Sequence, residues 1–85
     1  MRQSLRSKIT KIKTDNAQIV YHLFFHNTHY GLECYKENSN LEAPLNYCLV
    51  ENITDDEGEA EDFLYRMAKG AVLPIHINDM IEDYF

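Results

Sequence analysis

The strongest strand signal in the pattern of hydrophobic positions lies between Gln18 and His26, in a run dense in β-branched and aromatic residues. Such side chains suit a pleated, half-buried surface, so the run predicts a β-strand. Because successive side chains of a strand point to opposite faces, the run divides into two sets. One set is Ile19, Tyr21, Leu23 and Phe25, and the other is Val20, His22, Phe24 and His26.

A second strand is predicted from Tyr30 to Glu37, after polar turn residues at positions 27–29. A two-residue loop at Thr28-His29 would join the two strands in a hairpin and pair Phe25 with Leu32. The face that carries Phe25 would be the core face. The opposite face would then carry a mixed set of aromatic and polar side chains.

Further strands are predicted on both sides of this hairpin. One runs from about Leu45 to Glu51, and Pro44 before it suits a strand start or an edge, because it cannot donate a ladder hydrogen bond. The segment from Lys8 to Lys13 could add another strand, although its isoleucines do not alternate cleanly. Residues 8–51 are therefore predicted to form an antiparallel meander of three to four strands, and residues 1–7 to be disordered.

The pattern becomes helical after Asn52. Thr54 and Glu57 have the spacing of a capping box, in which a hydroxyl and a carboxylate satisfy free backbone N–H groups. An apolar stripe at helical spacing follows, made of Ala60, Phe63, Leu64, Met67 and Ala71. Gly70 is placed to end the helix in a left-handed conformation. The pattern predicts a helix over residues 54–69.

A second, shorter helix is predicted over residues 76–85, because Pro74 blocks continuation of the first. Its apolar stripe consists of Ile77, Met80, Ile81 and Tyr84. A helix of about ten residues is marginal alone, so packing must hold it in place. Both helices are predicted to pack on one face of the sheet, which gives an α+β fold in a single domain over residues 1–85.

Charge is distributed unevenly along the chain, whose net charge is −6. The first 13 residues contain five basic residues and no acid, whereas residues 51–85 contain ten acidic residues and two basic ones. A negative domain repels phosphate backbones, and the basic segment lacks the interleaved aromatic residues of a stacking platform. Nucleic-acid binding is therefore disfavoured. The acids Glu82 and Asp83 at the end of the second helix are either solvated or face a basic partner.

The two cysteines, Cys34 and Cys48, are too few for a disulfide scaffold and lie within strand-like apolar runs. Neither lies at a helix N-terminus or beside a cation, where thiolates are activated, so nucleophilic catalysis is not expected. The basic N-terminal segment is not followed by the apolar run of a signal peptide, and no run approaches the ~20 apolar residues of a membrane span. We expect a cytoplasmic protein that does not bind a membrane.

Three segments together resemble a known family. They are Tyr30-Gly31-Leu32-Glu33, Ile53-Thr54-Asp55-Asp56, and the closing segment from Leu73 to Phe85, which contains Pro-Ile-His-x-x-Asp-x-Ile-Glu-Asp-Tyr. The family consists of small Firmicutes proteins that contain a domain of unknown function common in Clostridia, and the resemblance covers roughly residues 18–85. It implies a bacterial, cytoplasmic source and the same order of strands and helices. It implies no catalytic or binding residue.

The face of the hairpin opposite the core is itself rich in apolar and aromatic residues. If the two helices cover one face of the sheet, the other stays exposed, and exposed patches of this kind mark interfaces. The candidate interface residues are Val20, His22, Phe24 and Tyr35. The sequence leaves open which face the helices cover.

A metal or acid–base site is the alternative. His76, Asp79 and Asp83 stand at positions i, i+3 and i+7 of the second helix, where they could hold a divalent ion. They could equally form the solvated polar face of an amphipathic helix. The strand histidines His22 and His26 lie about 13 Å apart at ~3.3 Å per residue, too far to bind one ion together.

These observations favour a small, non-catalytic interaction or regulatory module. Its sheet would bind either a second copy, to form a homodimer, or another protein. No catalytic residue, metal or cofactor is expected in this interpretation. The competing hypothesis is a small metal- or ligand-binding enzyme that uses His76, Asp79 and Asp83.

Overall fold

Four β-strands, joined in chain order, form one antiparallel sheet, and the helices follow them. The computed structural model describes residues 7–15, 17–40, 42–43 and 46–85. The strands are β1 (Ser7–Lys13), β2 (Gln18–His26), β3 (His29–Lys36) and β4 (Tyr47–Thr54). Helix α1 (Glu57–Gly70), a 3₁₀ turn (Pro74–His76) and helix α2 (Ile77–Tyr84) come next. The predicted α+β class, with an antiparallel meander followed by two helices, is confirmed.

The turn between β2 and β3 is Asn27-Thr28, one residue earlier than the sequence analysis expects. Both residues have positive φ angles, 52° and 66°, as a two-residue hairpin turn requires, and Asn tolerates that conformation well. Phe25 therefore pairs with Tyr30, and the predicted pairing of Phe25 with Leu32 is wrong by two residues. Because side chains alternate with a period of two, this shift leaves every residue on its predicted face.

The N-terminal segment adds the optional fourth strand. β1 pairs with β2 along its whole length, from Ser7 opposite Phe24 to Lys13 opposite Gln18. Ser7 therefore lies in a strand and not in the predicted disordered segment, because the ladder with β2 begins at this residue. Residues 1–6, which the same prediction covers, lie outside the described residues.

β4 contains an irregularity that turns its last residues toward the core. Its register against β3 shifts between Tyr30 and Leu32, and Asn52 on β4 adopts a left-handed φ of 56°. Ile53 consequently packs against the core, and the strand continues to Thr54 where the sequence predicts an end at Glu51. Residues 44 and 45, where the proline-led start of this strand is predicted, lie outside the described residues.

Helix α1 begins two residues later than the predicted capping box requires. Its N-cap is Asp56, whose Oδ1 accepts a hydrogen bond from the Glu59 backbone N–H at 2.9 Å. Thr54 is the last residue of β4, and its hydroxyl accepts from the Asp56 N–H and donates to the Glu59 carboxylate at 2.8 Å. The pairing of Thr54 with Glu57 is therefore wrong, because sheet pairing holds Thr54 in the strand.

The end of α1 also differs from the prediction by one residue. Gly70 remains helical, and Ala71 adopts the left-handed conformation with φ 49°. The N–H of Ala71 bonds to the Ala68 carbonyl, and the N–H of Val72 bonds to the Met67 carbonyl. These two bonds satisfy carbonyl groups that a helix end otherwise leaves without partners.

The helices cover the face of the sheet that carries Ile19, Tyr21 and Leu23, here called the inner face. These side chains and Leu32 and Cys34 of β3 form one buried cluster with the apolar residues of the helices. The helical members of that cluster are Ala60, Phe63, Leu64, Met67 and Ile77. The helical stripes predicted for both helices therefore point inward, except that Ala71 caps α1.

A buried tyrosine ties the connection between the helices to the sheet. The hydroxyl of Tyr21, a fully buried residue of β2, donates to the carbonyl of Val72 at 2.7 Å. At the other end of α2, the Tyr84 hydroxyl donates to Asp62 of α1 at 2.6 Å, and the Tyr84 ring packs 5.4 Å from that of Phe63. Both ends of this short C-terminal segment are thus held by side chains of other elements.

Asp56→Ala is expected to lower the free energy of unfolding by about 1 kcal/mol, because the first turn of α1 loses its capping acceptor. Asp55→Ala is the matched control, since Asp55 is exposed and adjacent but does not cap the helix. Urea denaturation followed by circular dichroism measures both variants. Equal effects of the two substitutions would contradict the assignment of Asp56 as the cap.

Cys34 is expected to resist alkylation in the folded protein, because burial, and secondly the neighbouring Cys48, raise the pKa of its thiol to about 12. Such a value lowers the thiolate fraction near pH 8 by about three orders of magnitude relative to an ordinary thiol. Mass spectrometry after iodoacetamide treatment should find Cys34 unmodified until urea unfolds the chain. Rapid modification under native conditions would show that the inner face is open.

Candidate functional site

The face of the sheet opposite the helices, here called the outer face, carries the candidate interface residues. Strand alternation and pairing place Val20, His22 and Phe24 of β2 and Tyr35 of β3 on it, as the sequence predicts. The neighbouring strands add Ser7, Ile9, Lys11, Glu33, Tyr47 and Leu49 to the same face. The helices pack against the inner face, which answers the question that the sequence leaves open.

A chain of polar contacts crosses all four strands of the outer face. The Ser7 hydroxyl lies 2.7 Å from His22 Nε2, and His22 Nδ1 lies 3.4 Å from Glu33 Oε1. The Tyr47 hydroxyl donates to the other carboxylate oxygen of Glu33 at 2.6 Å. With the ring proton on Nδ1, His22 donates to Glu33 and accepts from Ser7. These four residues are here called the polar row.

The tyrosine at the β4 end of the polar row stays protonated over the physiological range. Its hydrogen bond to Glu33, followed by burial and nearby negative charge, raises the pKa of Tyr47 to about 12. The phenol is therefore a hydrogen-bond donor to Glu33 over this range. Each member of the polar row is thus satisfied by a neighbour on the same sheet.

Phe24 lies flat over the one glycine of the outer face. A Cβ atom at Gly31, its partner on β3, would stand 2.5 Å from Cζ of the Phe24 ring. The absence of a side chain at Gly31 therefore gives the ring its place, and the His22 ring lies 5.9 Å away. Phe24 is consequently half-buried within its own chain, and its substitution would disturb the sheet itself.

Val20 is covered within the chain and contributes little surface. It is 1% exposed and lies between Lys11 of β1 and Tyr35 of β3 in the sheet. An ion pair of 3.6 Å between Lys11 and Glu37 reaches across β2 above it. Of the predicted interface residues, Val20 is therefore buried by its neighbours on the outer face, while His22, Phe24 and Tyr35 keep part of their surface accessible.

Two large apolar side chains at the margins of the outer face are not among the interface residues predicted from the sequence. Ile9 on β1 is 59% exposed, and Leu49 on β4 is 49% exposed. Both lie on strands at the edge of the sheet, next to the ends of the polar row. The irregular pattern of β1 and the unknown register of β4 hide them, because their face is fixed only by pairing with β2 and β3.

Ser7, His22 and Glu33 have the connectivity of a nucleophile, a base and an orienting acid. Relays of this kind also require donors aimed at the developing oxyanion above the nucleophile. Backbone N–H groups of a strand lie in the plane of the sheet, whereas these side chains stand perpendicular to it. Among the described strands, the backbone therefore aims no N–H group at the space above the Ser7 hydroxyl, and the four side chains form a hydrogen-bond chain.

The alternative site on the second helix is spread over two elements. His76 is the last residue of the 3₁₀ turn, whereas Asp79 and Asp83 belong to α2, and all three are exposed. Because a 3₁₀ turn has about three residues per turn, the helical spacing assumed for His76 does not apply there. Across the ranges that the structure describes, no group of three His, Cys, Asp or Glu side chains is arranged to hold a metal ion.

The acidic end of α2 and its surroundings form a small exposed cluster. Asp62 on α1 accepts hydrogen bonds from Tyr84 and from Arg66, and these bonds lower the pKa of its carboxyl group, that of Tyr84 first. Arg66 also stacks over the Tyr84 ring at 5.3 Å. Glu82 and Asp83, which precede Tyr84 in α2, are exposed.

Among the described helices, none has the length and apolar content to cross a bilayer.

Comparison with known proteins yields one family. Searches of curated proteins and of solved structures return no match. A family of unknown function, DUF6514, matches residues 4–85. The match includes β1, whereas the resemblance seen in the sequence covers only about residues 18–85. The expected membership in a family of unknown function is confirmed, and the chain belongs to the DUF6514 family.

Proposed function

We propose that the protein is a small, non-catalytic interaction module that self-associates through the outer face of its sheet. The observation that carries the proposal is the pair of exposed apolar residues, Ile9 and Leu49, on either side of an internally bonded polar row. Exposed apolar residues around a central set of aromatic and polar side chains are typical of protein interfaces.

The polar row makes burial of this face inexpensive in free energy. A buried polar group that loses its water costs roughly 1–3 kcal/mol unless it has another hydrogen-bond partner. Ser7, His22, Glu33 and Tyr47 already bond to one another, so a partner can displace water from the face without leaving them unsatisfied.

The area of the face limits the size of the interface. Four strands about 4.8 Å apart and about seven residues long, at about 3.3 Å each, give roughly 450 Å² per protomer. Two such faces bury roughly 900 Å², below the about 1,200–2,000 Å² of stable interfaces. The proposed homodimer is therefore weak and forms reversibly at high protein concentration.

A protein partner in the cytoplasm fits the chemistry of the chain. Cys34 and Cys48 lie opposite each other on β3 and β4 and are both free thiols, as is usual in a reducing compartment. The net charge of −6 disfavours a nucleic-acid partner. We therefore place a second copy of the chain first among protein partners, and a different protein second.

Leu49→Lys is expected to weaken self-association about tenfold or more, because a charge would enter the buried margin of the interface. Ile75→Lys is the matched control, since Ile75 is equally exposed at 49% but lies in the 3₁₀ turn beyond the sheet. Sedimentation equilibrium across a concentration series measures the mass against 10.0 kDa for one chain.

A wild-type mass that stays at one chain up to millimolar concentration would overturn self-association. Equal weakening by both lysine substitutions would also overturn the proposed face. Circular dichroism of each variant confirms that the fold is retained, which Leu49 and Ile75 permit because neither belongs to the buried core.

A further inference from the structure

One row of residues crosses the outer face in register and has an apolar residue at each end. Ile9 pairs with His22, His22 with Glu33, and Glu33 with Leu49. The row therefore begins and ends with an exposed apolar side chain and carries a histidine and a carboxylate in the middle. Ile9 and Leu49 lie three strand spacings apart, roughly 14 Å.

Two identical sheets that pack face to face are related by a two-fold axis lying between them. Sheets in such sandwiches keep their strands within about 30° of each other, so the axis runs either along the strands or across them. An axis along the strands places β1 over β4 of the second copy and β2 over β3. An axis across the strands places every strand over its own counterpart.

The row of Ile9, His22, Glu33 and Leu49 is complementary to itself under the axis along the strands. Ile9 of one copy then lies over Leu49 of the other, and His22 lies over Glu33. Under an axis across the strands that passes through this row, Glu33 would lie over Glu33, and two carboxylates facing each other in an interface repel. The order of residues in this row therefore favours the first arrangement.

The charged residues of the outer face are also separated, with the basic ones on one side of the sheet and the acidic ones on the other. Alternation places the basic residues Lys11 and Lys13 on the β1 side of this face, and the acidic residues Glu33, Glu37 and Glu51 on the β3 and β4 side. The axis along the strands brings the basic half of one copy over the acidic half of the other. The axis across the strands would bring like charges together, which costs free energy.

We infer that the partner of the outer face is a second copy related by a two-fold axis along the strands, with β1 of each copy over β4 of the other. The inference rests on the proposed self-association and adds the geometry of the dimer. Its closest contacts are Ile9 with Leu49 and His22 with Glu33, each made twice.

Cross-linking between engineered cysteines tests this geometry. Ile9→Cys and Leu49→Cys are each introduced into a Cys48→Ala background, where the remaining Cys34 is buried. A bis-maleimide with a reach well below the roughly 14 Å between the two positions is added to each variant alone and to their mixture. Light scattering on the same samples records the dimer fraction before the reagent is added.

The expected result is a covalent dimer in the mixture and none in either variant alone. A covalent dimer of Ile9→Cys alone or of Leu49→Cys alone would overturn the geometry while leaving self-association intact. Absence of a covalent dimer in a mixture that scatters as a dimer would also overturn it. Samples that scatter as monomers at every concentration would overturn the proposed function together with the geometry.

Discussion

The structure depends on the fact that two short helices cover only one face of a four-stranded sheet. Four strands are about 19 Å wide, and two helices packed side by side are about 20 Å wide. The two helices together therefore cover the inner face. Phe63, Met67 and Ile77 supply the apolar contacts of that layer, and the Tyr21 hydroxyl fixes the chain between the helices. The outer face consequently has no cover within the described chain.

A face that no helix covers must tolerate contact with water. Contacts among its own side chains meet this requirement. Phe24 folds over Gly31, the Lys11–Glu37 pair spans Val20, and the polar row bonds its members to one another. What is left accessible is a central polar strip with Ile9 and Leu49 at its margins. Those features make the face compatible with water and with a partner of the same shape.

The sequence predicts the class and the faces better than the site. Period-two alternation in β2 divides the strand into its two faces, and the helical stripes identify the buried side of each helix, but these patterns do not decide which face of the sheet the helices cover. The turn at Asn27-Thr28 and the cap at Asp56 each differ by one or two residues, since local signals at an element boundary compete with sheet pairing. His22 and Phe24 can be placed on a common face from alternation alone.

The rest of the candidate site depends on which strands are neighbours. Ser7 meets His22, and Tyr47 meets Glu33, only through the pairing of β1 with β2 and of β3 with β4. The exposure of Leu49 likewise follows from its position opposite Glu33 on an edge strand. Alternation within one strand carries no information about such long-range neighbours, so no local pattern could reveal the polar row.

The central claim, that the outer face is where two copies meet, is tested most directly by isotope-filtered NOE spectroscopy on a mixture of labelled and unlabelled protein. The account predicts intermolecular NOEs from the methyl groups of Ile9 and Leu49 and none from Ile75 in the 3₁₀ turn. Intermolecular NOEs that arise from Ile75, Met80 or Phe85 would place the contact on the helical side and contradict the account.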